Sequence, residues 1–487
     1  MAELSLPLMS LAILAPWVAA IAVLRGENPD ARRVTAMLGS GISLLAALEI
    51  LREVFLAGEV SLAEPFVPPG WLVVDSLSAL PMALFSAVAF GSLTALPRRE
   101  LRPTVVSAAL LLQGATLAAH ASANLLGFAT AWILSVLAFS WRQDSADDES
   151  ASLWRGGTLL PASCVCLAIG VAWIAWSADL HHAPAPYVFE ELARSGAPGG
   201  VWAFGFLVLA ALLRKGVFPF HSWVAPAFER GPLMLVVLFI NGHLGVYLVA
   251  RVAIPAFPQI SQESLGIVSG LAMLTAIYAA VLALAEVHPR RLLALLAISQ
   301  ASFILAGLSA GTAEGAAGAL AYWLVVTVAT SSLAAILSAV ESRVGLPITG
   351  DRFLGLGQRF PRLAVFFVVC GLALVGMPGT LGFCADELLL HGALQSHPQI
   401  GFALPLATAL NAYHLFRLFC KLFLGDPGVV LEGVPDARPR ERWVLVCGLL
   451  LLIGGGLFPN QVVSLQERAA TTIAAVSQVA GFLPHPH

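Results

Sequence analysis

Apolar runs of about twenty residues follow one another along almost the whole chain, near positions 6–24, 34–55, 72–95, 104–120, 123–141, 156–177, 200–228, 231–250, 263–286, 292–310, 315–340, 362–395, 401–424 and 443–460. Short polar stretches separate them. Runs of this length match the thickness of a bilayer crossed by a helix, and they show no period-two alternation of the kind a β-barrel strand needs. The pattern predicts an all-α polytopic membrane protein of about fourteen transmembrane helices. Two of the runs are broken. The seventh is interrupted at Pro219, which cannot donate a backbone N–H, and the twelfth at Pro378, Gly379 and Gly382. The breaks lie five spans apart, which points to an internal five-helix inverted repeat.

Composition agrees with this reading. Of 487 residues, 58% are hydrophobic and 11% charged, with a mean hydropathy of +0.85; a soluble domain carries about 25% charged residues. The arrangement of charge says more than the net value of −3. With the N-terminus outside, 20 of the 26 Lys and Arg residues fall on cytoplasmic connections, among them Arg98, Arg99, Arg290, Arg291, Arg142 and Arg155. Arg52, Arg194, Arg251 and Arg468 fall outside. Positive-inside bias therefore supports the span count and places both termini outside. The longest outer connection, 178–199, is short and carries Pro184 and Pro186, and the inner stretch RQDSADDESASLWR is charged. The whole chain, 1–487, is thus one membrane domain, with a core over 72–424 and a C-terminal tail over 461–487.

Six scattered cysteines form no CxxC or Cys/His cluster, and neither GxGxxG nor Walker A occurs, so no cofactor, metal or nucleotide is expected, and no nucleic-acid contact. No catalytic residue stands out, so any catalysis on a soluble substrate has to come from a partner.

Chemistry must instead come from ionisable side chains inside the apolar runs, where they are costly and mark ion paths. Arg214 and Lys215 stand just before the first break. Burial readily takes the proton from a lysine, whereas an arginine keeps its charge; the simpler reading is anchoring of both by snorkelling. His243, in FINGHLGVYLVAR, lies near the middle of the eighth run and is able to carry a proton either way. Asp386 and Glu387 follow the second break, and only one of two neighbours faces a given partner. His221, after the proline, reads as structural. Asp75 and the one-faced set His414, Arg417 and Lys421 are further candidates, as a proton path or as a packed polar seam.

The stretches RKGVFPFHSWVAPAFERGP, GHLGVYLVAR, HPRRLLALLAISQASF, LVGMPGTLGFCADELLLHG and NAYHLFRLFCKLFLGDP resemble the antiporter-like family: L-, M- and N-type membrane subunits of respiratory complex I, Mrp cation/proton antiporters and their relatives. The resemblance covers the third to thirteenth spans. It implies proton movement along a central axis of Lys, His and carboxylates. Anchored on Pro219, the family's seventh-span lysine falls on Arg214, with Lys215 one residue off; the eighth-span lysine falls on His243 and the twelfth-span ionisable residue on Asp386. Two departures stand out. The fifth-span glutamate that usually follows a tryptophan is replaced, since Ile133 follows Trp132. The eleventh span offers Thr327 and Ser331 in place of histidine and lysine. The missing glutamate resembles the membrane subunit of DAB-type inorganic-carbon uptake systems, which implies a cytoplasmic, zinc-containing, carbonic-anhydrase-like partner and a driving gradient of H+ or Na+. An M- or N-type complex I subunit among other membrane subunits is the alternative, and a non-conducting scaffold a second one; an autonomous carrier is disfavoured by the lack of other polar residues in the spans.

Overall fold

A computed structural model describes residues 2–26, 28–58, 61–141, 158–180, 187–345, 348, 352–396, 398–426 and 434–479. The stretch RQDSADDESASLWR with Arg142 and Arg155, the prolines Pro184 and Pro186, and the side chain of Arg468 lie outside the described residues. The helices are α1 (Leu8–Arg25), α2 (Pro29–Ala57), α3 (Ser76–Ala95), α4 (Pro103–Ala121), α5 (Leu125–Ser140), α6 (Leu159–Leu180), α7 (Phe189–Ser195), α8 (Gly200–Lys215), α9 (Val224–Arg230), α10 (Leu233–Asn241), α11 (Leu244–Leu248), α12 (Ile254–Ala256), α13 (Pro258–Ala285), α14 (Pro289–Leu308), α15 (Ala313–Val344), α16 (Pro361–Leu374), α17 (Leu381–Ser396), α18 (Pro398–Phe423), α19 (Pro439–Leu457) and α20 (Pro459–Val479). Many open on proline, as at Pro29, Pro103, Pro258, Pro289, Pro361 and Pro439. That position has no intrahelical use for an N–H, so proline starts a helix at no cost to its ladder.

The chain is an all-α polytopic membrane protein with broken helices at both expected places. Ten helical stretches among the described residues are long and apolar enough to cross a membrane, or eleven with the bent pair α19–α20 taken as one. The expected fourteen is not reached on length and apolarity alone: α5 and α16 have only 16 and 14 residues, and α18, with 26, is not among the apolar spans. Gly200–Arg230 counts as one span broken between α8 and α9. The long helix α15 is the hub, packing on α3, α10, α14, α16, α17, α19 and α20. In its most apolar stretch, and in those of α14 and Leu233–Ala256, 94% of residues are buried, against 44% in α1. Those three elements therefore form the interior and α1 an outer wall.

The charged ends gather at one face. Arg290 bonds Glu341 and the carbonyl of Gly231, Arg99 bonds the carbonyls of Glu341 and Ser342, and Arg33 that of Leu96. Opposite this basic face lie a small sheet, β1 (Ala2–Glu3) parallel to β2 (Leu62–Ala63), which is antiparallel to β3 (Val73–Val74), and the start of α3.

Residues 461–479, within the region expected as a tail, belong to α20 instead. Its first turns bend 87° from α19. Gln466 donates to the Leu320 carbonyl (3.0 Å), and Ala469, Ala470 and Ile473 are buried. One-sided burial of an amphipathic helix, rather than a span-length apolar run, holds this segment down.

Candidate functional site

Two interrupted helices meet in the interior. α8 ends at Lys215 because Gly216 takes a left-handed turn (φ 71°) and Val217 N–H closes on the Leu212 carbonyl (3.1 Å). Pro219 prevents resumption, and a 3-10 turn, Phe220–Trp223, follows, with Trp223 Nε1 donating to the Leu213 carbonyl (3.2 Å). Facing it, α10 stops at Asn241 and α11 begins at Leu244. Between them His243 sits in the left-handed region (φ 45°) without being a glycine, a strained conformation that clusters at functional positions. The two breaks touch: Lys215 Nζ contacts His243 Nδ1. Gly245 makes the approach possible, since a Cβ there would stand 2.8 Å from the Ala211 carbonyl of α8. A void of about 10 Å³ beside Lys215, His243 and Arg214 is close to the minimum for one water.

Alignment on Pro219 put the family's lysine at Arg214; the structure places Lys215 against His243. Arg214 turns the other way. Its guanidinium lies between the rings of Trp132 (4.5 Å) and Phe239 (4.3 Å), 5% exposed, with Nη1 and Nη2 lacking partners among the described residues. Ile133, where a carboxylate was expected, is on the exposed side of α5. His221 packs on Phe218 and Tyr278 (ring centroids 5.9 and 4.9 Å), in line with a structural place at the break.

At the second break α16 ends at Leu374, and Gly376 (φ 71°) and Gly379 (φ 86°) carry the chain to α17. Asp386 folds back onto Gly376 so closely that a Cβ there would collide with Oδ2, while Oδ1 is buried without a partner among the described residues. Glu387 does not join it. Its half-exposed carboxylate points away from the interior, 3.8 Å from His391. Successive helical residues diverge by about 100°, so adjacency in sequence separates the two carboxylates instead of pairing them. Tyr322 of α15 closes the break, donating to Gln300 of α14 and to the Leu374 carbonyl (3.1 Å).

The face holding His414, Arg417 and Lys421 is a seam. His414 Nε2 donates to the Ala280 carbonyl (2.7 Å). Arg417 caps the end of α13 through the carbonyls of Ala283, Leu284 and Glu286 (2.6, 2.7 and 2.6 Å). Lys421 Nζ lies 4.7 Å from the Phe353 ring centroid. Asp75 caps α3 through Leu77 and Ser78 N–H (both 3.1 Å) and pairs with Arg251.

Several interior groups escaped the sequence reading. Asn241 donates to the Thr330 and Ser331 hydroxyls (2.9 and 2.8 Å), so the eleventh-span polar residues answer a side chain of the eighth. His120 is buried, its Nδ1 donating to the Thr116 carbonyl (2.8 Å) and its ring 4.7 Å from that of Tyr247. His120 closes an apolar run and reads as a terminus; Tyr247 counts as apolar. The available signal was the spacing 243, 247, 251.

The family model for the membrane part of NADH:quinone oxidoreductases and Mrp antiporters matches residues 119–410. The chain belongs to this family. The resemblance carried by RKGVFPFHSW and its companion stretches is thereby borne out. Subunit 13 of the NADH-quinone oxidoreductase of Thermus thermophilus is 28% identical over 467 residues, 92% of this chain and 95% of that one. Subunit M of Rickettsia prowazekii is 27% identical over 266 residues, 54% of this chain and 53% of the relative. Among solved structures, a chain of respiratory complex I from Thermus thermophilus with bound NADH overlays with a TM-score of 0.85 at 26% identity, covering 96% of this chain and 99% of that chain. A chain of the Mrp complex from Dietzia shares the fold, with a TM-score of 0.81 at 19% identity, covering 96% and 99%.

Proposed function

We propose that the chain is a proton-translocating subunit of the M or N type in a respiratory complex of the NADH-quinone oxidoreductase class, multi-pass in a bacterial plasma membrane with both termini outside. The observation that carries this reading is Lys215 against His243 where two helix breaks face each other. An ammonium bonded to an imidazole holds one proton in two positions: transfer gives amine and imidazolium, and the reverse transfer restores the pair. Ionisable groups in the interior of a membrane bundle are kept for such work. The near full-length match to subunit 13 supports M/N-type membership, and membership implies further membrane subunits as neighbours. The inorganic-carbon reading, with its zinc partner, draws no support from the relatives named above. The scaffold reading keeps one observation in its favour, since α15 carries no Asp, Glu, Lys, Arg or His between Glu314 and Glu341.

The native complex isolated in mild detergent should contain flavin and iron–sulfur subunits by mass spectrometry; a zinc-bearing, carbonic-anhydrase-like partner in their place overturns the M/N reading. Inverted vesicles driven by the electron donor of that complex should acidify. Lys215→Ala should abolish acidification with assembly intact, and wild-type acidification in that variant would sink the Lys215 path.

A further inference from the structure

His243, Tyr247 and Arg251 recur every fourth residue and so share one face of the eighth span. A π-helical turn, Val249–Ala253, continues that face toward the side opposite the basic one. At eight residues, Arg251 lies about 12 Å along the axis from His243 at 1.5 Å per residue. Alongside the ladder runs the end of α4 with His120, and the start of α3 with Asp75. The rings of His243 and His120 both flank Trp323, at 5.3 and 6.1 Å. Each imidazole has one nitrogen committed. Nδ1 of His120 donates to the Thr116 carbonyl, which leaves its Nε2 an acceptor. With Lys215 as the ammonium, Nδ1 of His243 is the acceptor in their contact, which leaves its Nε2–H a donor. Both Nε2 atoms are buried with no partner among the described residues. A donor and an acceptor of matching sense thus remain free in one region of the interior. Beyond them the Tyr247 ring packs on His120, its hydroxyl donating to the His120 carbonyl (2.8 Å) and lying within electrostatic reach of Asp75 and Arg251. The Asp75–Arg251 pair stands in the wall of a cavity of about 480 Å³, further lined by Glu190 and Glu191 and closed on one side by Ala469 and Ile473 of α20.

We propose that the first half of the chain carries its own proton route from Lys215 to the face opposite the basic one, through His243, His120 and Tyr247 to the Asp75–Arg251 pair and its cavity. The route deepens the proton-translocating function proposed above and rests on it. Each step conserves protons. Lys215 gives one to Nδ1 of His243, and the imidazolium gives one from Nε2 toward Nε2 of His120, directly or through one water. His120, protonated, passes it past the Tyr247 hydroxyl to Asp75, whose carboxyl releases it to water in the cavity. His120 takes and gives the proton at the same nitrogen and keeps its tautomer, whereas His243 is left with Nδ1–H and resets by a ring flip that brings a bare nitrogen back to Lys215 before the next proton. Arg251 keeps Asp75 ionised between protons, and α20 shapes the outlet.

The test uses the purified full-length chain in liposomes loaded with a pH-sensitive dye, with a potassium diffusion potential as the driving force. Wild-type protein should admit protons faster than protein-free liposomes. His120→Phe and Tyr247→Phe should each lower that flux by about tenfold or more, the usual scale for losing a proton-transfer group, while Cys447→Ser, at an exposed position of α19, stays within about twofold. Tyr247→Phe keeps the ring contacts and loses the hydroxyl, so it decides the matter if His120→Phe fails to incorporate. Wild-type flux with both variants within twofold of it overturns the route and leaves the proposed function standing. Wild-type flux equal to that of protein-free liposomes overturns both.

Discussion

Arg214 and Lys215 are adjacent cations, and methionine replaces either with similar length. If both were snorkelling anchors, the two replacements would behave alike. The structure predicts opposite outcomes. Lys215 Nζ contacts His243 Nδ1, and in the proposed path it holds the proton there. Without it, the charge must cross the same depth on His243 or water alone. A charge at a helix centre costs about 2.5–3.5 kcal/mol on insertion scales. At 1.36 kcal/mol per factor of ten, Lys215→Met should slow proton flux by about 70- to 400-fold. Arg214 touches no acceptor among the described residues; two aromatic faces at 4.5 and 4.3 Å hold it. Each desolvated cation–π contact contributes about 2 kcal/mol. Against the resulting total of about 4 stands the desolvation of a buried guanidinium, several kcal/mol. The terms nearly cancel, so Arg214→Met should leave stability within about 1 kcal/mol of wild type or above it, with flux retained. Dye-loaded liposomes measure the flux, and thermal unfolding in detergent the stability. Lys215→Met with flux within threefold of wild type would refute the assignment. So would equal loss in both variants.

Two further outcomes follow from the basic face. Arg343 and Glu441 form an ion pair with side chains 1% and 4% exposed, tying α15 to α19; Glu441→Ala should cost about 3–5 kcal/mol in thermal unfolding, with the apolar pair Arg343→Met/Glu441→Leu recovering most of it. Glu286 ends α13, outside the spans. Burial pushes its carboxyl up, but the Arg291 guanidinium and the N–H groups of His288 and Val287 outweigh burial and hold it below its ordinary value of 4.5. The stability it adds is therefore present above that value and lost as pH falls through the folded one, so wild type and Glu286→Gln should differ by a constant amount at neutral pH and converge in acid.

Span-scale features were legible because lipid imposes them on the sequence. Charges, prolines and apolar length marked both breaks, and Lys215, His243 and Asp386 stood out because ionisable side chains are rare in apolar runs. What stayed hidden depended on direction around a helix. Lys215 and Arg214 differ by one position, and only the approach of α8 to Gly245 shows which meets His243. Asp386 and Glu387 looked like a pair and face opposite ways. Arg417 looked like part of an axis, and three carbonyls at the end of α13 occupy it. α20 was missed for a different reason: its polar residues Asn460, Gln461, Ser464, Gln466 and Glu467 leave no span-length apolar run, and its one-sided burial is an interfacial pattern rather than a spanning one.

On the route proposed above, the central helix accounts for a chain that has no middle ionisable residue and still conducts. On α15 the consecutive residues Tyr322 and Trp323 face different halves: Tyr322 bonds Gln300 and lies within electrostatic reach of Asp386, and Trp323 packs on His243 and His120. Between the Lys215–His243 pair and Asp386 this helix offers hydroxyls, of which Thr330 and Ser331 already answer Asn241, and no group that holds a charge. A proton at His243 thus finds hydroxyls and no chargeable group on this helix toward the second half, and an imidazole acceptor toward His120. Loss of the eleventh-span histidine and lysine then divides the axis rather than abolishing it. Under this view restoring a lysine at Thr327, whose hydroxyl is buried without a partner among the described residues, should make flux sensitive to Asp386→Asn where it was not before. Flux that stays indifferent to Asp386 in the Thr327→Lys chain would show that something other than the missing charge separates the halves.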